Sequence, residues 1–176
     1  MNGEQMYMQT RSRLINMLNS QDIVREFGRK ADAVRHGCDV MISQLDLVLR
    51  GKRVVPNDSE RSAVATATNA ILEKVVYDPI DKFTADFAML FAEVAKNWNQ
   101  KIGYQYDMDI WVDTIARVVQ QHLTIVDAIN ILRQLLNKCV NLLNYEPPAF
   151  TLSKHYLKVI EDKMEENKPI NEYEKT

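Results

Sequence analysis

Residues that break a chain are scarce here: glycine and proline number five each in 176 residues, and cysteine only two. So few breakers exclude a turn-rich sheet protein and favour long helices. The two cysteines, Cys38 and Cys139, stand far apart in sequence. Each falls on an apolar helical face and reads as a buried free thiol. No apolar run approaches the ~18 residues of a membrane span, and the first residues lack a signal-peptide hydrophobic region. A reducing cytoplasm is therefore the expected compartment. Neither sign of charge is in excess: 22 Lys and Arg stand against 24 Asp and Glu, a net charge of −2. Such a chain is not built to coat nucleic acid or an anionic membrane.

Reactive groups are equally sparse. The three histidines, His36, His122 and His155, have no Cys, His or carboxylate at metal-site spacing. Gly51-Lys52-Arg53 lacks the upstream glycine and the Ser or Thr of a phosphate-binding loop. Cys139 has no placed base, and no carboxylates pair on an apolar face as in a glycosidase or di-iron bundle. The expectation is a protein that is not an enzyme, with no catalytic residue, cofactor or metal, and that acts by binding.

What is present is helical periodicity. With 46% of residues hydrophobic and 26% charged, the chain has material for a core of one domain, or of one domain with a helical appendage. Met6 to Leu18 reads as a short amphipathic helix with Tyr7, Leu14 and Met17 on one stripe. Ser20 or Asp22 can cap the next helix, a long one running to about residue 50. Along it Phe27, Ala31, Val34, Cys38, Met41, Leu45 and Val48 alternate spacings of four and three. That seam has a period of 3.5, the pattern that packs one helix along another at a shallow angle. It suits packing within one chain or self-association of two chains through residues 27–48. Gly28 and Gly37 lie beside it and weaken the helix by about 1 kcal/mol each. Arg50, Gly51, Lys52 and Arg53 end it with a glycine stop and cations that suit the helix dipole.

Residues 53–58, with Pro56, read as a linker. Asp58 or Ser59 then caps a helix over about 60–76, whose small residues Ala63, Ala65, Thr66, Ala67, Thr68 and Ala70 form the outer positions. Asp78-Pro79 opens a helix to about residue 101 bearing Phe83, Phe87, Leu90, Phe91, Val94 and Trp98, an aromatic stripe that reads as core. Tyr104 to Asp107 reads as a loop and 109–121 as a helix. Thr124, with Asp127 three residues on, caps a helix to about residue 143 that is apolar nearly all round and reads as central to its subdomain. Pro147-Pro148 ends that region. A last helix over 152–166 turns Tyr156, Val159, Ile160 and Met164 inward, and a polar tail follows. Arg25, Arg29, Lys30 and Arg35 form a local basic surface with acids interspersed.

The run Phe83, Phe87, Trp98, then Ile110-Trp111-Val112, then Thr124 opening a helix, then Pro147-Pro148 and Phe150 before a last helix, resembles the central domain of the lambdoid phage replication protein P family. The resemblance covers about residues 80–160. It implies a helicase loader: a non-enzymatic phage or mobile-element protein that binds a hexameric replicative helicase, holds its ring open and delivers it to single-stranded DNA at an origin. DNA is then met through the helicase rather than directly. Trp111, Thr124, Pro147, Pro148 and Phe150 are the structural marks of the pattern, and none is a contact residue. In the phage proteins a further helical portion after the last helix grips the helicase. Little follows that helix here, so the gripping element would be the N-terminal hairpin, with Arg25, Arg29, Lys30 and Arg35 as candidate contacts. The alternative is a helical adaptor or inhibitor that blocks a different host enzyme. The expected architecture is all-α, with a helical arm at 1–52, a linker at 53–58, a bundle at 59–166 and a flexible tail at 167–176.

Overall fold

A computed structural model describes residues 2–78, 80–102, 105–121 and 123–143, together with 154, 157, 158, 161, 162 and 165. The described residues form helices and turns without a strand: α1 (Gly3–Leu18), α2 (Asp22–Phe27), a 3-10 turn (Gly28–Lys30), α3 (Ala31–Leu49), α4 (Asp58–Tyr77), α5 (Lys82–Ile102), α6 (Gln105–Gln121) and α7 (Ile125–Leu143). The fold is all-α, as the scarcity of breakers predicts. Pro147, Pro148, Phe150, the inward positions expected of the last helix and the tail lie outside the described residues.

The helices of residues 3–49 pack directly on those that follow them. α3 lies along α4 and also against α5, and α1 lies against α5. Leu14, Ile23, Val34 and Met41 therefore belong to the same apolar core as Ile71, Phe87, Phe91, Trp98 and Ile115. A seam of period 3.5 states that a helix wants a partner, not which one. Here the partners are α4 and α5 of the same chain. Arg11 clamps α1 to α3, donating to both carboxylate oxygens of Asp46 at 2.9 and 2.7 Å. Beside that pair the Tyr7 hydroxyl is pushed up to about 12, first by burial and then by Asp46.

The long helix expected from residue 22 to 50 is broken. Gly28 takes φ +54°, outside the helical region, and the chain makes one 3-10 turn before α3 resumes. Only a glycine adopts such a conformation readily. Phe27 and Ala31 on either side stay buried, so the apolar spacing runs through a kink that periodicity does not report. At its other end α3 stops as its sequence suggests. Gly51 (φ +79°) donates to the Val48 carbonyl at 2.9 Å and Lys52 to the Leu47 carbonyl at 3.0 Å, the paired bonds of a Schellman cap.

α4 lies between α3 and α6 and also touches α5 and α7. Among the described residues α7 packs mainly on α6 and leaves Val126 exposed. Of the small residues expected on the outer positions of α4, Ala67, Thr68 and Ala70 are buried, Ala63 and Ala65 are half-buried, and Thr66 is exposed. Ala63 and Ala67 let α3 come close. A Cβ built on Gly37 would lie 2.3 Å from the Ala67 Cβ and 2.6 Å from the Ala63 carbonyl oxygen. Gly37 is thus required by contact, although it weakens the helix that carries it.

Helix starts differ from expectation where several polar residues compete. α1 begins at Gly3, because Asn2 and Gln5 form a reciprocal capping box. Asn57 rather than Asp58 or Ser59 caps α4, paired with Glu60. α5 is capped by Asp81, whose Oδ1 accepts the Thr84 N–H at 2.7 Å, while Asp78 closes α4. α6 begins at Gln105, so Gln105 to Asp107 are helical rather than loop. The aromatic stripe of α5 is core: Phe87, Phe91 and Trp98 are fully buried, and Phe87 meets Phe27 at 5.5 Å between ring centroids. One buried polar chain crosses three helices. Trp98 Nε1 donates to Gln44 Oε1 at 2.7 Å, and Gln44 Nε2 donates to Glu60 Oε2 at 2.8 Å.

Gly37→Ala should destabilise the fold by about 1–3 kcal/mol through overpacking, despite alanine's higher helix propensity. Urea unfolding measures this, and Ala67→Gly in the same chain should recover part of the loss. Val34→Asp places a charge at a fully buried position, at a cost of about 2–4 kcal/mol. Because the seam packs within one chain, the variant should lose helicity without passing through a change of mass by light scattering.

Candidate interaction surface

The four basic residues singled out in the sequence surround α2 and the turn after it. Arg25 and Arg35 flank a shallow cleft with Val24 and Ser20. Arg29 and Lys30 flank a second, smaller one on the α4 side with Glu26, Glu73 and Lys74. The fold brings all four to one corner and gives most of them intramolecular partners. Arg25 pairs with Asp22 and Glu26. Lys30 pairs with Glu73 of α4, holding the 3-10 turn down. Arg35 donates to the Leu18 carbonyl at 3.0 Å, capping the end of α1. Arg29 is exposed and makes no such bond among the described residues. The corner is a staple between helices more than an open cationic face.

Lys74 is the centre of that staple. Burial of its ammonium disfavours the charge, but hydrogen bonds to Asp78 and Glu26 outweigh burial and raise its pKa. The ammonium lies 3.0 Å from Asp78 and 3.1 Å from Glu26. Asp81 next to it is held below the usual carboxylate range, chiefly by the Thr84 backbone N–H that it caps.

The residues of the resemblance take structural positions where they are described. Trp111 is buried in α6. Thr124 Oγ1 accepts the Asp127 N–H at 3.2 Å and donates to Asp127 Oδ2 at 2.9 Å, so it does open α7 as its spacing predicts. Among the described residues no group of His, Cys, Asp and Glu is placed to hold a metal ion. Cys38 is fully buried, which drives its thiol pKa upward and keeps it from forming a nucleophilic thiolate. No helix among the described residues is long and apolar enough to cross a membrane. No family model, curated protein or solved structure matches the chain.

A different set of cations was passed over in the sequence because its residues read only as a helix stop. Arg50, Lys52 and Arg53 are all exposed and make no ion pair among the described residues. In sequence they are flanked by Leu47, Leu49 and Val55, whose side chains are exposed. The signal that could have found them is the absence of any acid between Asp46 and Asp58.

Asp81→Ala removes the cap of α5 and should cost about 1 kcal/mol by urea unfolding, with Asp81→Asn close to wild type because the amide oxygen still caps. The pH dependence follows from the depressed pKa. The ionised cap contributes fully above the unfolded value of 3.8, and that contribution is lost as pH falls through the lower folded value. Asp81→Asn should therefore flatten the acid limb of the stability profile below about pH 4.

Proposed function

We propose that this chain is a non-catalytic binding protein whose partner is a hexameric replicative helicase, which it delivers to single-stranded DNA. The observation that carries the proposal is the order of marks along residues 80–160. An aromatic-cored helix is followed by a helix with a buried tryptophan and then by a threonine-capped helix, the succession found in the central domain of the phage replication protein P family. α5, α6 and α7 supply these marks in that order, each with a role in packing or capping. The contacts with the helicase then fall on surfaces of a single packed body. Residues from α1 to α3 share the core with α4 and α5, which favours contact through the surface of the packed helices over a detachable gripping arm.

The test is direct. The protein is mixed with a purified bacterial-type hexameric replicative helicase, and complex mass and ATPase rate are measured. A stoichiometric complex with suppressed ATPase is the expected result. Arg29→Glu, at an exposed position of the α2 corner, should weaken the complex without loss of helicity. No complex with the helicase, alongside capture of a different enzyme from host lysate, would replace this reading with that of an inhibitor.

A further inference from the structure

We propose that the end of α3 and the turn after it, residues 47–55, are a docking surface for an acidic, aliphatic segment of a partner protein. The proposal rests on where charge is left over. Between Asp46 and Asp58 the chain carries Arg50, Lys52 and Arg53 and no acid, although the whole molecule is net negative at −2. The neighbouring carboxylates do not neutralise this turn. Asp46 is taken by both nitrogens of the Arg11 fork. Glu60 is taken by the Asn57 N–H and by Gln44. Asp58 sits in the first turn of α4, where the helix dipole favours it.

Exposed apolar surface accompanies the cations. Leu47 and Leu49 are each 40% exposed, and Val55 is 70% exposed between a half-buried Val54 and a buried Pro56. The turn is held at both ends, by the Schellman bonds of Gly51 and Lys52 on one side and by Pro56 and the Asn57–Glu60 capping box on the other. Its cations are therefore presented from a fixed backbone, which lowers the ordering cost of binding.

The chemistry selects among occupants. Residues 47–55 include no aromatic side chain. At this turn a single-stranded nucleic acid would thus meet no stacking platform, and a bilayer would meet no tryptophan or tyrosine anchor. Carboxylates alternating with leucine-type side chains match what is offered: guanidinium forks for bidentate pairing and aliphatic surface beside them. The inference goes beyond the helicase reading and stands whatever the identity of the partner.

The probe is a short fluorescein-labelled peptide of Glu and Leu, with its Lys and Leu counterpart as the control, titrated with the full chain and followed by anisotropy. Binding of the acidic peptide, weakened by salt and absent for the basic one, is the expected result. The triple variant Arg50→Glu, Lys52→Glu, Arg53→Glu should bind at least about tenfold more weakly, and Val55→Asp measurably more weakly. Unchanged helicity by circular dichroism confirms that each variant is folded. Arg13→Glu, on the exposed face of α1, should leave binding unaltered. Equal binding by the triple variant overturns the proposal, as does no binding of the acidic peptide. So does capture of oligo-dT or of phosphatidylserine vesicles in place of the peptide.

Discussion

The close approach of α3 to α4 at Gly37 sets the spacing on which the rest of the packing depends. With no side chain at Gly37, and only methyl groups at Ala63 and Ala67, the two backbones come near enough that a Cβ would collide. That distance fixes where the following turns of α3 fall. Met41 and Leu45 enter the core one and two turns later, and Gln44 reaches both Trp98 on α5 and Glu60 on α4. A buried amide bonded on both sides tolerates little displacement, because a group left unpaired in the core costs about 1–3 kcal/mol. Steric closeness at one turn and polar registration two turns on thus specify the same arrangement of three helices.

What the sequence reveals and conceals follows from this geometry. Periodicity reveals faces: the seam of α3 and the aromatic stripe of α5 are buried where their spacing places them. It conceals partners, because the pattern for packing on a neighbouring helix equals that for packing on a second chain. Small residues mislead in a related way. Ala67, Thr68 and Ala70 look like an indifferent outer surface until α3 is laid upon them. Helix starts show the same ambiguity on a smaller scale. Asn57, Asp58 and Ser59 are all good caps, and only the bond between Asn57 and Glu60 decides among them. Asp78-Pro79 is a persuasive start in isolation, yet Asp81 is the residue whose carboxylate meets a free N–H. Gly28 is read as a cost to one long helix, whereas its positive φ ends that helix.

Charges divide in the same manner between what is visible and what is not. A sequence lists cations but not their occupation. Arg25, Lys30 and Arg35 look like a surface for a partner, and the fold assigns them to Asp22, Glu26, Glu73 and the Leu18 carbonyl. Arg50, Lys52 and Arg53 look like the punctuation of a helix, and they are exposed without an ion pair among the described residues. Availability for binding depends on which carboxylates lie within reach, and reach is a property of helix order. Asp46 illustrates it: four residues from Arg50 along α3, it is nevertheless spent on Arg11 of α1.

The shared core also limits how any partner is engaged. Levering α1 to α3 away from the remaining helices would expose Leu14, Ile23, Val34 and Met41 together. At about 2 kcal/mol for each large apolar side chain, those four alone cost roughly 8 kcal/mol. That is comparable to the total stability of a typical domain, about 5–15 kcal/mol. It is also most of the ~12 kcal/mol released in forming a nanomolar complex. A partner that opened this body would have little binding energy left with which to hold it. A partner bound without that cost would use surfaces already displayed by the closed fold, where charge and apolar area are both unspent.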